Sequence, residues 1–178
     1  MGAIIFVGRE TDAAETRVAA SPETVKKLTS LGCDVTVEEG AGAGSRILDS
    51  DFESAGATIV KAEDAKKADV VLRVRRPSAY DARMMKSGAI LLTQMDPYGN
   101  EEALKPFAEA GVTAFAMELM PRITRAQSMD VLSSQANLAG YQAVIEAAAS
   151  FGRAFPMMMT AAGTVPAAKA FVMGAGVA

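Results

Sequence analysis

Short apolar, β-branched runs punctuate the chain at residues 3–7 (AIIFV), 33–38 (CDVTVE), 57–60 (ATIV), 68–74 (ADVVLRV), 89–95 (AILLTQM), 112–118 (VTAFAME) and 169–173 (KAFVM). Between them lie amphipathic stretches, so strands alternate with helices, and that order predicts an α/β fold built on a parallel sheet. The sharpest helix start is Ser21-Pro22-Glu23: serine suits the N-cap, proline the first helical position and glutamate the positive end of the helix dipole. That helix runs through Val25 and Leu28 and closes at Gly32.

A longer helix is predicted from Asp130 to about Phe151, where no proline intervenes and Val131, Leu138, Tyr141, Val144, Ile145 and Ala148 recur at helical spacing. At 1.5 Å per residue it is roughly 30 Å long, enough to connect two domains. Three segments follow: an N-terminal α/β subdomain (1–125), a loop and long connecting helix (126–152), and the beginning of a second subdomain (153–178) whose first strand is 169–173. No repeat, low-complexity tract or charge block interrupts them.

Composition removes several kinds of chemistry. There is no histidine among the 178 residues, so the commonest general base and most transition-metal sites are absent, and the single Cys33 rules out an internal disulfide or a CxxC metal site. Cys33 is expected as a small core residue. A net charge of -3 gives no reason to expect nucleic acid. The longest uncharged stretch, 154–168, is broken by Pro156, Gly163 and Pro166, and no transmembrane segment or signal peptide is expected. Met157 to Met159 read as core filling.

Two glycine-rich stretches differ in meaning. Gly40 to Gly44 lacks the GxGxxG spacing and reads as a flexible strand-to-helix loop. Gly174-Ala175-Gly176-Val177 directly follows a predicted strand, the context of the Rossmann dinucleotide fingerprint: the first glycine permits the tight turn and the second lets a pyrophosphate approach the backbone. A plain Gly/Ala-rich terminus fits the same residues. Arg75 and Arg76 stand at a strand end, where open α/β sheets bind ligands, and they suit either a carboxylate or phosphate or simply solvent. Arg17, just before the first helix, reads the same way. A polar loop carrying Arg122, Arg125, Gln127 and Asp130 leads into the long helix. Asp130 serves as its N-cap on the plainest reading, but so many polar groups before a helix N-terminus also suit an amide, a ribose or a phosphate.

RVAASPETVKKL (17–28), VRRP (74–77), AMELMPRITRAQSMDVLSSQANLAGYQAVI (116–145) and FPMMMTAAGTVPAAKAFVMGAGVA (155–178) closely resemble the α-subunit family of proton-translocating NAD(P) transhydrogenases. The likeness is to the NAD(H)-binding first domain, within the alanine dehydrogenase/transhydrogenase superfamily, and is densest from 116 to 178. It implies that the glycine turn opens a Rossmann subdomain continuing past Ala178. It also implies hydride transfer from NADH to NADP+, coupled to proton translocation, in an assembly with an NADP(H)-binding domain and a membrane domain. The NAD(H)-binding portion is expected to be a dimer on the cytoplasmic side of the bacterial inner membrane.

By motif the resemblance assigns the nicotinamide end to Arg122, Gln127 and Asp130, with Ser133 following and Ile123, Thr124, Ser128 and Met129 nearby. The pyrophosphate falls to Gly174, Ala175, Gly176 and Val177. Arg122 and Asp130 are then expected to orient the carboxamide and ribose, and Gln127 to bridge the two nucleotides. Alanine dehydrogenases resemble the chain in outline, and Arg17 matches their carboxylate-binding arginine. Their substrate lysine and histidine, however, fall on Arg75 and Asp96. A third alternative is that this chain alone catalyses nothing.

Overall fold

The computed structural model describes residues 2–178, which divide into two compact units, one ending at Met120 and one from Pro121 to Ala178. The first holds strands β1 (Ile4–Val7), β2 (Asp34–Glu38), β3 (Thr58–Val60), β4 (Val70–Arg75), β5 (Ile90–Gln94) and β6 (Thr113–Ala116). Helices α1 (Pro22–Ser30), α2 (Asp49–Ser54), α3 (Ala79–Met84) and α4 (Glu101–Glu109) connect them. All strand pairs are parallel, in the order β3-β2-β1-β4-β5-β6. This is the doubly wound Rossmann order, and its sense reverses between β1 and β4.

Both faces of the sheet are covered, as parallel sheets require. Alternating β1 side chains divide between them: Phe6 packs with Val71, Leu91 and Phe107 on one face, and Val7 packs with Val25, Val37 and Phe52 on the other. The first helix forms as its sequence dictates. Ser21 caps it by accepting from the Thr24 N–H, Pro22 sits in its first turn, and Gly32 follows its end at φ 84°. Cys33 is half-buried against the second cluster.

The glycine loop at 40–44 is a packed element, against the expectation of a flexible one. A Cβ on Gly44 would lie 2.7 Å from the backbone oxygen of Thr16, and one on Gly42 an equal 2.7 Å from that of Ile47. The Ser45 hydroxyl donates to the Thr16 carbonyl at 2.8 Å, so this loop braces the segment between β1 and α1.

The second unit holds helix α5 (Val131–Phe151) and an antiparallel hairpin, β7 (Met158–Thr160) and β8 (Gly163–Val165). Asp130 caps α5, and Gly152 ends it in the left-handed region at φ 69°. Two expectations fail here. Met157, Met158 and Met159 are exposed and feed β7 rather than fill a core. The run 169–173 is irregular instead of extended. Strands exist by pairing, and among the described residues none pairs with it; Phe171, Val172 and Met173 face outward.

Candidate functional site

The polar loop before α5 is a short 3-10 turn, Thr124–Met129, entered from Ile123 and left through Asp130. Its fold is set locally. Ala126 is buried and donates its N–H to the Ile123 carbonyl at 2.9 Å, and the Asp130 N–H reaches the Gln127 carbonyl at 3.3 Å. Burying the one small apolar residue turns its neighbours outward, so Arg122, Ile123, Thr124, Gln127, Ser128 and Met129 are all exposed.

Three of the expected site residues are brought together. Asp130 Oδ1 accepts from the Ser133 N–H at 3.0 Å and Oδ2 from the Ser133 hydroxyl at 2.5 Å. Those two bonds, with the Arg122 charge assisting, hold the Asp130 carboxyl below its ordinary range. Asp130 is therefore both the N-cap of α5 and a fixed carboxylate. With roughly four acceptor positions on a carboxylate and the Leu132 and Ser133 groups taking up to three, it keeps capacity for a further donor.

The glycine turn stands open. Gly174 adopts φ 95°, a conformation that favours glycine, and nothing lies within 4 Å of where a Gly176 Cβ would be, so a ligand can approach that backbone. Ala175 and Val177 are exposed beside it. The tail of the turn lies on α5, since a Cβ on Gly140 would meet the Ala178 carbonyl carbon at 2.3 Å. Gly140 is ten residues along from Asp130, or about 15 Å at the helical rise. Among the described residues no hydrogen bond joins the 122–133 loop to residues 174–177.

The arginines read from the sequence sit in the sheet unit and are engaged. Arg17 forks onto Glu15 at 2.7 and 2.6 Å, and Arg75 Nε donates to the same carboxylate at 3.0 Å. Arg76 donates to the carbonyls of Met95 and Asp96. Asp96, at φ 45°, donates its own N–H to Glu118. Glu10 and Glu15 were invisible to motif reading because their partners on β4 lie 60 or more residues away; only the spacing of Glu15 and Arg17 hinted at them. A cavity of about 220 Å³, lined in part by Phe6, Arg9, Glu38, Arg73 and Tyr80, is also built wholly from this unit. Among the described residues, no group of three His, Cys, Asp or Glu is placed to hold a metal ion, and no helix is long and apolar enough to cross a membrane.

Comparison with known proteins adds the following. Residues 6–139 match the family described as "Alanine dehydrogenase/PNT, N-terminal domain", and residues 143–178 the corresponding C-terminal domain. An NAD(P) transhydrogenase subunit alpha polypeptide of Rhodospirillum rubrum is 51% identical over 98% of the chain and 47% of its own length. The crystal structure of a transhydrogenase from Sinorhizobium meliloti superposes with a TM-score of 0.94 at 68% identity, covering 98% of this chain and 52% of that one. Alanine dehydrogenase 1 of Staphylococcus aureus is more distant, 32% identical over 80% of the chain and 37% of its own length. The chain thus spans about half the length, or less, of these relatives.

Proposed function

The chain belongs to the alanine dehydrogenase/PNT family, and we propose that within it the chain is the NAD(H)-binding portion of a proton-translocating NAD(P) transhydrogenase α subunit. The observation that carries this reading is likeness to transhydrogenase subunits across 98% of the chain at 51% identity, against 32% for the alanine dehydrogenase.

The residues present fit a dinucleotide. Open space at Gly176 and the left-handed Gly174 suit a pyrophosphate lying on the backbone. The exposed loop offers donors and acceptors for an amide and a ribose, with Asp130 held ionised as an acceptor and Arg122 and Gln127 beside it as donors. NAD(H), when bound, supplies the hydride chemistry; the protein orients the ring and excludes water. No proton has to be moved by these side chains, which accords with a chain that lacks histidine. NADP(H) belongs to a separate domain, and proton translocation to a membrane domain. The assembly is dimeric, with the NAD(H)-binding portion peripheral on the cytoplasmic side.

Amino-acid dehydrogenation is disfavoured, since Arg75 and Asp96 stand where that resemblance calls for lysine and histidine. Extended to the length of its relatives, the protein should bind NADH with micromolar affinity by calorimetry. With an NADP-binding domain added, it should reduce an NADP analogue from NADH. Reductive amination of pyruvate without such transfer would overturn the proposal. Gln127→Ala should leave folding intact and weaken the transfer.

A further inference from the structure

Arg73 is a buried cation whose donors are unused. Strand β4 sends alternate side chains to opposite faces of the sheet, so Arg73 lies two residues on from Val71, on the face that Phe6 and Met85 share. Its side chain is 6% exposed, yet its guanidinium makes no hydrogen bond among the described residues, and its Nε is buried without an acceptor. Buried polar atoms almost always find a partner, so this exception asks for a cause. Glu10 does not supply the missing acceptor. Its Oε1 stands 3.4 Å from Arg73 Nε as an ion pair without a hydrogen bond, and its two oxygens accept the backbone N–H groups of Val74 and Arg75 at 2.7 and 3.1 Å. The charge of Arg73 is balanced; its donors are not.

Arg73 lines the cavity of about 220 Å³, whose apolar wall includes Phe6 and Met85. A Cβ on Gly8 would lie 2.7 Å from Arg73 Cδ and 3.0 Å from Nη1, so the arginine crosses the end of β1 only because that position carries no side chain. Unused acceptors line the same space. Asp81 Oδ2 accepts from the Ser78 N–H and hydroxyl at 3.0 and 2.8 Å, and Glu38 Oε2 accepts from the Arg9 N–H at 2.8 Å. Asp81 Oδ1 and Glu38 Oε1 have no hydrogen-bond donor among the described residues. The volume falls below the roughly 300 Å³ at which sites for drug-sized ligands begin, so the space suits a single ring or less.

We infer that this cavity binds a small uncharged amide: its carbonyl accepts from Arg73, its NH2 group donates to Asp81 or Glu38, and its apolar ring lies against Phe6 and Met85. A carboxylate is the poorer ligand. It would meet the carboxylates of Glu10, Glu38, Glu63 and Asp81, against only the guanidinium groups of Arg9 and Arg73. The inference does not rest on the dinucleotide reading, whose residues lie in the other unit.

The test is saturation-transfer NMR on the protein at the full length of its relatives, with benzamide as the probe and excess NADH present to fill the dinucleotide site. Benzamide should bind saturably and at least about tenfold more tightly than benzoate, and R73M should weaken it about tenfold, the weight of one hydrogen bond to a charged group. A62W should weaken it as much, because Ala62 is exposed on the cavity wall and tryptophan there fills the space while the Arg73 and Glu10 pair stays in place. Should R73M fail to fold, since it strips buried Glu10 of its cation, A62W decides alone. No saturable signal, a signal seen only without NADH, benzoate binding as tightly as benzamide, or benzamide binding that A62W leaves unchanged would each sink the inference.

Discussion

Phe52 and Leu91 are fully buried in the sheet unit, whereas Leu138, Tyr141 and Val144, recurring at helical spacing along α5, are 61, 68 and 61% exposed. Both regions are rich in apolar residues, and they differ in what those residues meet. In the sheet unit each face of a strand finds a helix, so packing fixes side chains and supports the Glu10 and Glu15 ion pairs at its edge. From Pro121 onward no residue of α5 is buried, and shape comes from local devices: a 3-10 turn, an aspartate cap, a left-handed glycine. The candidate dinucleotide residues all lie in this second region. The arrangement of those before α5 rests on local turn and capping bonds.

The strongest way to break that contrast is to truncate apolar side chains on both sides of it. Phe52→Ala or Leu91→Ala should lower stability by about 3–5 kcal/mol, from lost burial and the cavity left behind. Leu138→Ala or Val144→Ala should change it by no more than about 0.5 kcal/mol, since a surface truncation forfeits little. Urea unfolding of the four variants decides the matter. A large cost at Leu138 would mean that α5 is covered and that the two regions do not differ as described.

How much of this was legible depended on how local each cause is. Ser21-Pro22-Glu23 and the Asp130 cap are read from adjacent residues, and both helices begin where their caps predict. Six of the seven apolar runs became strands because each had neighbours to pair with; the run at 169–173 had the composition of a strand and no partner. The hairpin at 158–165 has no sequence signature, because its turn residues, Ala161 and Ala162, lack the Asn-Gly or Asp-Gly signal. The Arg122, Gln127 and Asp130 loop stood out as polar groups before a helix. The ion pair between Glu15 and Arg75 did not, since Arg75 reaches Glu15 from 60 positions away.

Acid should act on the sheet unit through the ion pairs that Glu15 makes with Arg17 and Arg75. Arg17 is the main cause, with Arg75 adding to it and burial opposing, and together they lower the Glu15 carboxyl from the usual 4.5 to about 2. A carboxylate depressed in the folded state stabilises above its unfolded value, and that contribution is lost as pH falls from about 4.5 towards 2, up to about 3 kcal/mol at 1.36 per unit. Wild type should thus lose more stability than E15Q between pH 5 and about pH 2, as measured by urea titration. Parallel loss in both would detach Glu15 from the arginines.

The smallest effect is expected at the other region's own device. Asp130 accepts from the Ser133 N–H, one of the four donors that a helix leaves unpaired at its start. Asp130→Ala removes that acceptor and leaves the sheet untouched. Amide exchange at Leu132, Ser133 and Ser134 should accelerate about fivefold, the usual weight of a cap, while amides of β4 and β5 keep their protection. Wild-type protection of the same first-turn amides should also fall as pH drops through the lowered Asp130 value, because the protonated acid is a poorer acceptor. If exchange in β4 and β5 rose with it, α5 and the sheet would unfold as one body, and the distinction between a core-held and a cap-held region would have to be given up.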